Sequence, residues 1–299
     1  MGKKLSFIPC ELDKEWERFI ISSPDLSVYL MKDFLENTCE RIGSYKCYRG
    51  KELRAVVALS EDNKGKSSVK SDFLIYSGVC FGKPTNNQSR SQQISERFDL
   101  SVFIIEELIK IYDAFQFQLS PSINDIRPFQ WHNYGQLYNR CEVNIRYTSY
   151  LNISDFKNAK TLEEIEAYNQ SSVSRRQQIR YAKNENITTN EFLDIEMFLS
   201  FYKTTLENQS ITLEKEYLRK LHYLLNKLVL NKRVKMFLSK TSDGEPGSIA
   251  IFGIDQLRAY YLYGATNPKS SSESTGTAVL WDSFYKLASM NIEEVDLEG

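Results

Sequence analysis

Four groups of residues have the types and spacing to do chemistry. Asp296 and Glu298 stand at alternate positions near the end of the chain. On a strand that spacing puts both carboxylates on one face. There they can take a proton from an attacking amine or accept from an amino-sugar hydroxyl, or they are simply solvated strand-end acids. Thr275, Gly276 and Thr277 follow the polar run TNPKSSSES and open an apolar stretch. Small residues at a helix start leave backbone N–H groups facing outward, which suits a phosphate or pyrophosphate. An ordinary helix cap by Thr275 gives the same pattern. Asp125, Arg127, Trp131, His132 and Tyr134 lie close together, with Arg140 and Arg146 shortly after. An aromatic plane beside carboxylate and guanidinium groups suits a sugar or a nucleotide-sugar phosphate. The competing reading is a structural knot, with Arg127 paired to Asp125 and Trp131 packed between domains. Arg176, Arg180 and Lys183 share one helical face by their spacing, next to Arg175. They can meet the phosphates of a lipid-linked or nucleotide-linked acceptor, or of a transfer RNA, or form a solvated basic face. No Ser-His-Asp or Cys-His arrangement stands in recognisable context. Of the two histidines, His222 lies among leucines and reads as packing.

These groups must be positioned by regular elements. Leu12 to Ser22 and Val28 to Thr38 read as helices, the first stopped by Ser23-Pro24. Tyr45 to Tyr48 and Leu53 to Leu59 read as a hairpin around Gly50. Phe73 to Phe81 reads as a buried strand, Gly82 to Ser91 as a small-residue loop, Phe98 to Phe115 as a helix and Gln116 to Leu119 as a strand. Val143 to Ile153 alternates and predicts a strand. Thr161-Leu162-Glu163-Glu164 is a capping-box signature for a helix to about Asn169. Helices are expected at Val173 to Asn184, Asp194 to Glu207 and Glu214 to Leu230, with a short strand at Ile187 to Glu191. An antiparallel pair, Val234 to Lys240 and Gly247 to Ile254, leads to a strand at Ala259 to Ala265. A helix from Thr275 to about Met290 and a strand at Glu294 to Leu297 follow. The order of two helices, hairpin, strand, small-residue loop, helix and strand thus occurs twice, which implies two related α/β domains, residues 1–152 and 153–299.

Bulk composition narrows the classes. The 299 residues suit one large or two ordinary domains, and 41% hydrophobic content supports a real core. With 38 basic and 39 acidic residues the net charge is −1, so no global pull towards DNA or an acidic membrane exists. Five scattered cysteines without a CxxC pair fit reduced thiols packed as small hydrophobes, a cytoplasmic setting and no metal site. No apolar run is long enough for a membrane span, and Pro9, Cys10 and Glu11 cut short the basic N-terminus, so it does not read as a secretory signal.

This element order resembles the GNAT superfamily of N-acyltransferases, and two units in tandem resemble its Fem-type branch. Trp16-Glu17-Arg18-Phe19-Ile20 with Ser23-Pro24 is similar to the family's opening helix. Ser174-Arg175-Arg176 with Ile179-Arg180 and Ala182 is similar to its basic helix, and Tyr202 with Thr205 to a downstream helix. Leu280-Trp281 and Asp296-Leu297-Glu298-Gly299 resemble its ending. The resemblance implies an α/β fold of two GNAT-like acyltransferase domains, with mixed, mostly antiparallel sheets flanked by helices, the second expected to lack its final strands and so to leave an apolar sheet edge open. It implies N-acyl transfer from acetyl-CoA or another acyl-CoA, without a metal, to an amino group of a sugar or cell-envelope precursor, small or lipid-linked, with peripheral membrane contact. Thr275, Gly276 and Thr277 would hold the pyrophosphate, Asp296 and Glu298 would be catalytic, and Arg127, Trp131, Arg146, Arg176 and Arg180 would bind the acceptor, between the domains. Two alternatives stay open: an aminoacyl-tRNA-dependent transferase acting on a peptidoglycan precursor, and a catalytically silent binding module. Transfer RNA is the poorer fit because no long heptad arm is present, while the glycine-poor loop departs from the acetyl-CoA pattern.

Overall fold

The computed structural model describes residues 4–270, 272 and 274–298. The expected ending at Gly299, and Ser271 and Glu273 of the expected loop, lie outside them. The chain divides into two compact units, Met1–Arg146 and Tyr147–Gly299, ahead of the expected junction at 152–153. Among the described residues no helix is long and apolar enough to cross a membrane.

In the first unit, β1 (Leu5–Pro9), β2 (Ile42–Arg49), β3 (Glu52–Ser60) and β4 (Gly78–Phe81) form an antiparallel sheet in that order. β1 was not anticipated from the sequence. Helix α1 (Lys14–Ser22) starts at Asp13, whose side chain accepts from the Trp16 N–H at 2.8 Å. A 3-10 turn (Val28–Leu30) and α2 (Lys32–Thr38) replace the single helix expected over 28–38. The Trp16 indole donates to the Leu30 carbonyl at 3.0 Å and locks α1 to that turn. Helix α3 (Arg90–Ile111) begins earlier than expected because Ser89 and Gln92 make a reciprocal capping box. Ala55, Val57 and Leu59 pack with Leu100, Ile104 and Leu108 of α3, so by alternation Val56 and Ala58 face the opposite side. Residues 73–77 are not strand, and 116–119 contributes only a bridge between Gln118 and Ser77. Gly78 explains the late start of β4: its φ is +106°, a conformation that suits glycine. A short helix, α4 (Arg127–Trp131), follows.

The second unit holds β5 (Tyr150–Asn152), β6 (Thr188–Glu191), β7 (Val234–Lys240), β8 (Pro246–Ile254), β9 (Arg258–Thr266) and β10 (Glu294–Asp296), in the sheet order β5-β10-β9-β8-β7-β6. Every pairing is antiparallel except β9 with β10. The fold class is therefore the expected one: two α/β units with mixed, mostly antiparallel sheets. Its helices are α5 (Glu166–Gln170), α6 (Val173–Asn184), α7 (Ile195–Asn208), α8 (Lys215–Leu230) and α9 (Thr275–Ser289). Thr161 makes no side-chain cap, so the expected capping-box helix is only a 3-10 turn (Leu162–Glu164) before α5. Helix α9 packs on β8, β7 and α6, whereas α7 packs on β9 and α8 on β7. The strand expected over 143–153 shrinks to β5, which pairs with β10. That pairing covers the sheet edge expected to lie open. Arg258 fastens this corner: its Nε donates to Glu294 Oε1 at 2.7 Å, and its guanidinium lies 4.9 Å from the centre of the Tyr150 ring.

The first unit contains a buried ion pair with a definite stability consequence. Arg54 grips Glu96 by two bonds, Nη2 to Oε2 at 2.8 Å and Nε to Oε1 at 3.1 Å, and Gln88 Nε2 donates to Oε2 at 2.7 Å. Burial alone would push the Glu96 carboxyl up, but the bonds from Arg54 and Gln88 and the charges of Arg54 and Arg49 hold it below its ordinary value. A depressed folded value stabilises above the unfolded carboxylate pKa of about 4.3, and that stability is lost as pH falls through the folded value. Replacing Arg54 with Met leaves Glu96 buried without its main partner, a loss of roughly 3–5 kcal/mol. Urea unfolding at neutral pH checks this; an unchanged midpoint would contradict it.

Candidate active site around the bulge in strand β9

The sheet of the second unit is interrupted at one place on both sides of β9. On one side, β10 pairs with Arg258, Ala259 and Tyr260 and goes no further. Beyond Tyr260 the outer edge of β9 has no strand opposite it among the described residues. On the other side, Tyr261 pairs with Phe252 and Tyr263 with Ile251, so Leu262 is an extra residue outside the ladder to β8. Such a bulge bends a strand and re-aims its side chains. Tyr261 packs towards α9, its ring centre 5.5 Å from that of Phe252. Tyr263 packs towards α7, with its ring centre 6.0 Å from Phe198 and 5.6 Å from Tyr202. Regular alternation would have kept both tyrosines on one face.

On the α7 face Tyr263 comes within electrostatic reach of Glu298. Burial, with Tyr217, Tyr202 and Glu298 adding to it, raises the Tyr263 phenol well above its ordinary value and keeps it protonated. Burial also raises the Tyr202 phenol, against a bond with Tyr217. At the end of β9, Thr205 Oγ1 accepts from the Thr266 N–H at 3.1 Å and donates to the Thr266 carbonyl at 3.4 Å. Tyr202 and Thr205, noted in the sequence for their family resemblance, therefore both flank the parted edge. The phenol cluster as a whole was missed, because its members come from α7, α8 and β9.

The proposed catalytic pair divides. Asp296 is fully buried; Thr148 Oγ1 donates to its Oδ1, which also accepts from the Glu298 N–H at 3.0 Å. β10 ends at Asp296, and Glu298 has a φ of +46°. The alternation argument thus does not reach Glu298; a side-chain bond to its backbone places it instead. Glu298 is half-buried.

Around the expected pyrophosphate loop, Thr275 is fully buried, with Oγ1 3.0 Å from Ser248 Oγ. It is not the cap: Ser274 occupies that position, without a side-chain cap bond. Gly276 and Thr277 are half-buried. Glu185, the residue after α6, accepts from Ser274 Oγ at 2.8 Å and from Ser272 Oγ. A carboxylate thus already stands beside the start of α9. Arg176 is half-buried and Arg180 exposed on α6; Arg180 Nη1 donates to the Tyr168 hydroxyl at 3.1 Å. Among the described residues neither has an ion-pair partner.

The remaining expected binding residues lie in the first unit. Arg127 is paired to Asp125 through two bonds of 2.6 and 2.7 Å, as the knot reading supposed. That pairing lowers the Asp125 carboxyl and raises the Arg127 guanidinium. Trp131 is 57% exposed and meets Phe98 edge-on. Arg146 is exposed, outside any regular element. His222 corrects its packing assignment: its Nε2 lies 3.0 Å from Glu196 Oε1 at the surface. Of the five cysteines, all free, only Cys47 and Cys80 are buried, and burial pushes both thiols up to about 12.

Two α/β units of this element order, with mixed, mostly antiparallel sheets, form a tandem GNAT-like fold of the Fem type. No family model and no curated protein sequence matches the chain. Solved structures do. FemX is 13% identical with a TM-score of 0.66, the match covering 98% of this chain and 88% of that one. A tandem GNAT protein from the clavulanic acid biosynthesis pathway is 10% identical with a TM-score of 0.50, covering 98% and 89%. The C-terminal domain of a protein described as a lysylphosphatidylglycerol synthetase, from Agrobacterium fabrum, is 12% identical with a TM-score of 0.51, covering 95% and 77%. At these identities the likeness is one of fold.

Close packing around the bulge can be tested. A Cβ on Gly264 would stand 1.9 Å from the Tyr261 hydroxyl oxygen. Gly264→Ala is expected to cost about 1–3 kcal/mol, and adding Tyr261→Phe should restore much of that loss. Thermal or urea unfolding of the two single variants and the double variant would show it; strictly additive effects would refute the contact.

Proposed function

We propose that this protein is an N-acyltransferase that moves an acyl group, acetyl in the first instance, from acyl-CoA to an amino group of a sugar or cell-envelope precursor. The observation that carries the reading is the bulge in β9 at Leu262, beyond which no described strand pairs with the outer edge of β9. An exposed strand edge offers backbone donors and acceptors to an extended ligand, and the pantetheine arm of CoA is an extended chain with two amides. The backbone N–H groups of Gly276 and Thr277 at the start of α9 would receive the pyrophosphate. The envelope acceptor draws support from the neighbour whose name specifies a lysyl group on a phospholipid.

In this reaction the amine nitrogen attacks the thioester carbonyl carbon and the carbon–sulfur bond breaks. Glu298 takes the amine proton. Tyr263, kept protonated by its surroundings, donates a hydrogen bond to the departing thiolate, which takes its proton from solvent. Asp296 is a positioning residue that fixes Glu298 through its backbone. Acetyl-CoA should give measurable heat in calorimetry; none at about millimolar ligand would exclude the CoA donor. Glu298→Gln should lower kcat by about 10²–10⁴-fold with little change in KM, whereas an equal loss in Asp296→Asn with raised KM would mark misplacement rather than lost proton transfer.

A second reading is favoured by Glu185, which stands where a pyrophosphate would need to come. In it the donor is an aminoacyl-tRNA, whose phosphates meet Arg176 and Arg180, and the acceptor is a peptidoglycan precursor. The two donors separate cleanly. Under the CoA reading, Glu185→Gln removes a negative charge and should tighten acetyl-CoA by several-fold. Under the second, replacing both Arg176 and Arg180 with Gln should abolish retention of charged transfer RNA on a filter, and leave acetyl-CoA without effect. A chain that binds neither would be a silent module.

A further inference from the structure

The first unit carries a cavity of about 520 Å³ where the loop after β4 meets α3 and the end of β2. Arg49, Asn86, Asn87, Ser95, Glu96 and Asp99 are among the groups lining it. Its floor is already committed. Glu96, 7% exposed, is held by Arg54 and Gln88. The remaining guanidinium nitrogen of Arg54 meets Glu52 at 3.1 Å and the Lys83 carbonyl at 3.0 Å. The Gln88 side-chain oxygen accepts from the Thr85 N–H at 2.8 Å.

Two charged groups on the wall are not committed in this way. Arg49 comes no closer to Glu96 than 3.6 Å, and its side chain is 29% exposed, so donors remain on its fork. Asp99 has no ion pair or side-chain hydrogen bond among the described residues. The carboxamides of Asn86 and Asn87 and the Ser95 hydroxyl also line the cavity, without side-chain hydrogen bonds among the described residues. The cavity therefore offers one guanidinium, one carboxylate and neutral hydrogen-bonding groups. A phosphate or simple carboxylate would satisfy Arg49 but meet Asp99 as a like charge. A simple amine would satisfy Asp99 but meet Arg49. Either mismatch acts against the wrong ligand. A molecule with both charges close together satisfies both walls, and the volume lies within the range of small-molecule sites.

We propose that this cavity binds a free α-amino acid, its carboxylate on the Arg49 guanidinium and its ammonium on the Asp99 carboxylate, with the amides of Asn86 and Asn87 facing its side chain. The site lies within the first unit and is independent of the acyl-donor reading for the second.

The test uses the full chain and a panel of glycine, L-serine, L-glutamine and L-lysine, followed by amide NMR and calorimetry. At least one should bind with a dissociation constant at or below about 10 mM and shift the amides of residues 85–99. Its N-acetyl and its carboxamide derivatives should each bind at least about tenfold more weakly, because each removes one charge. Arg49→Gln and Asp99→Asn should reproduce those two losses. The blocked ligands test the unaltered protein, so a variant that fails to fold does not decide the outcome. Absence of binding across the panel, or equal binding of blocked and free forms, would overturn the proposal. So would inorganic phosphate binding more tightly than every amino acid.

Discussion

The second unit is organised by what happens to β9 between Tyr260 and Tyr263. Parallel pairing with β10 stops at Tyr260, and Leu262 enters as an extra residue against β8. A strand that loses one neighbour and slips against the other has to bend. The bend allows Tyr261 to stay in the core under α9 while Tyr263 turns to α7. Both consequences bear on the proposed site: beyond Tyr260 no described strand pairs with the outer edge of β9, and Tyr263 comes within electrostatic reach of Glu298. Glycine at position 264 is part of the same arrangement, since the Tyr261 hydroxyl occupies the space a Cβ would need.

Comparison of the two units sharpens the meaning of that edge. In the first unit, the corresponding strand β4 does not leave its outer edge unsatisfied at Phe81. Asp25 Oδ2 accepts from the Phe81 N–H at 3.2 Å, and Ser23 Oγ donates to its carbonyl at 2.6 Å. Asp25 is almost completely buried, and although burial raises its carboxyl, Arg97 at 3.2 Å supplies the compensating charge. The chain thus fills the slot with its own side chains. In the second unit, among the described residues, the same device appears at the far end, where Thr205 satisfies Thr266. Among the described residues, one unit thus closes this edge with local side chains at Phe81, and the other does so only at Thr266.

Much of the architecture was legible because it rests on local pattern. Helix α6 and strand β7 have the bounds that their periodicity implies, and α7 and α8 differ only at their ends. What was not legible depends on partners distant in sequence. Val143 to Tyr147 alternates as a strand should, but finds no ladder there, and Ile145 and Tyr147 are left exposed. β1 has too short an alternating run to announce itself, and is a strand because β2 pairs with it from Leu5 to Pro9. AYYLYGA reads as one unbroken buried strand, so the bulge at Leu262 has no local signal. The same limit separates the site residues. Asp296 was singled out from its position, but its burial under Thr148 depends on a segment 148 residues away.

Glu185 exposes the tension that remains in the site. An anion near the start of a helix is favoured by the backbone dipoles, and here the chain supplies that anion itself through Ser272 and Ser274. Thr275 cannot join a ligand without unpacking, because Ser248 and the close approach of Gly247 hold it. A phosphate arriving at Gly276 and Thr277 would meet like charge until Glu185 moved. Displacement would break two serine hydrogen bonds at an exposed side chain, while an incoming pyrophosphate would bring more than one negative charge to the same dipole. Arg176 and Arg180, without ion-pair partners among the described residues, would act in the same direction by lowering the cost of gathering phosphates beside that helix. Under the CoA reading Glu185 is an internal ligand that holds Ser272 and Ser274 until a stronger anion replaces it, whereas under the aminoacyl-tRNA reading it keeps its place.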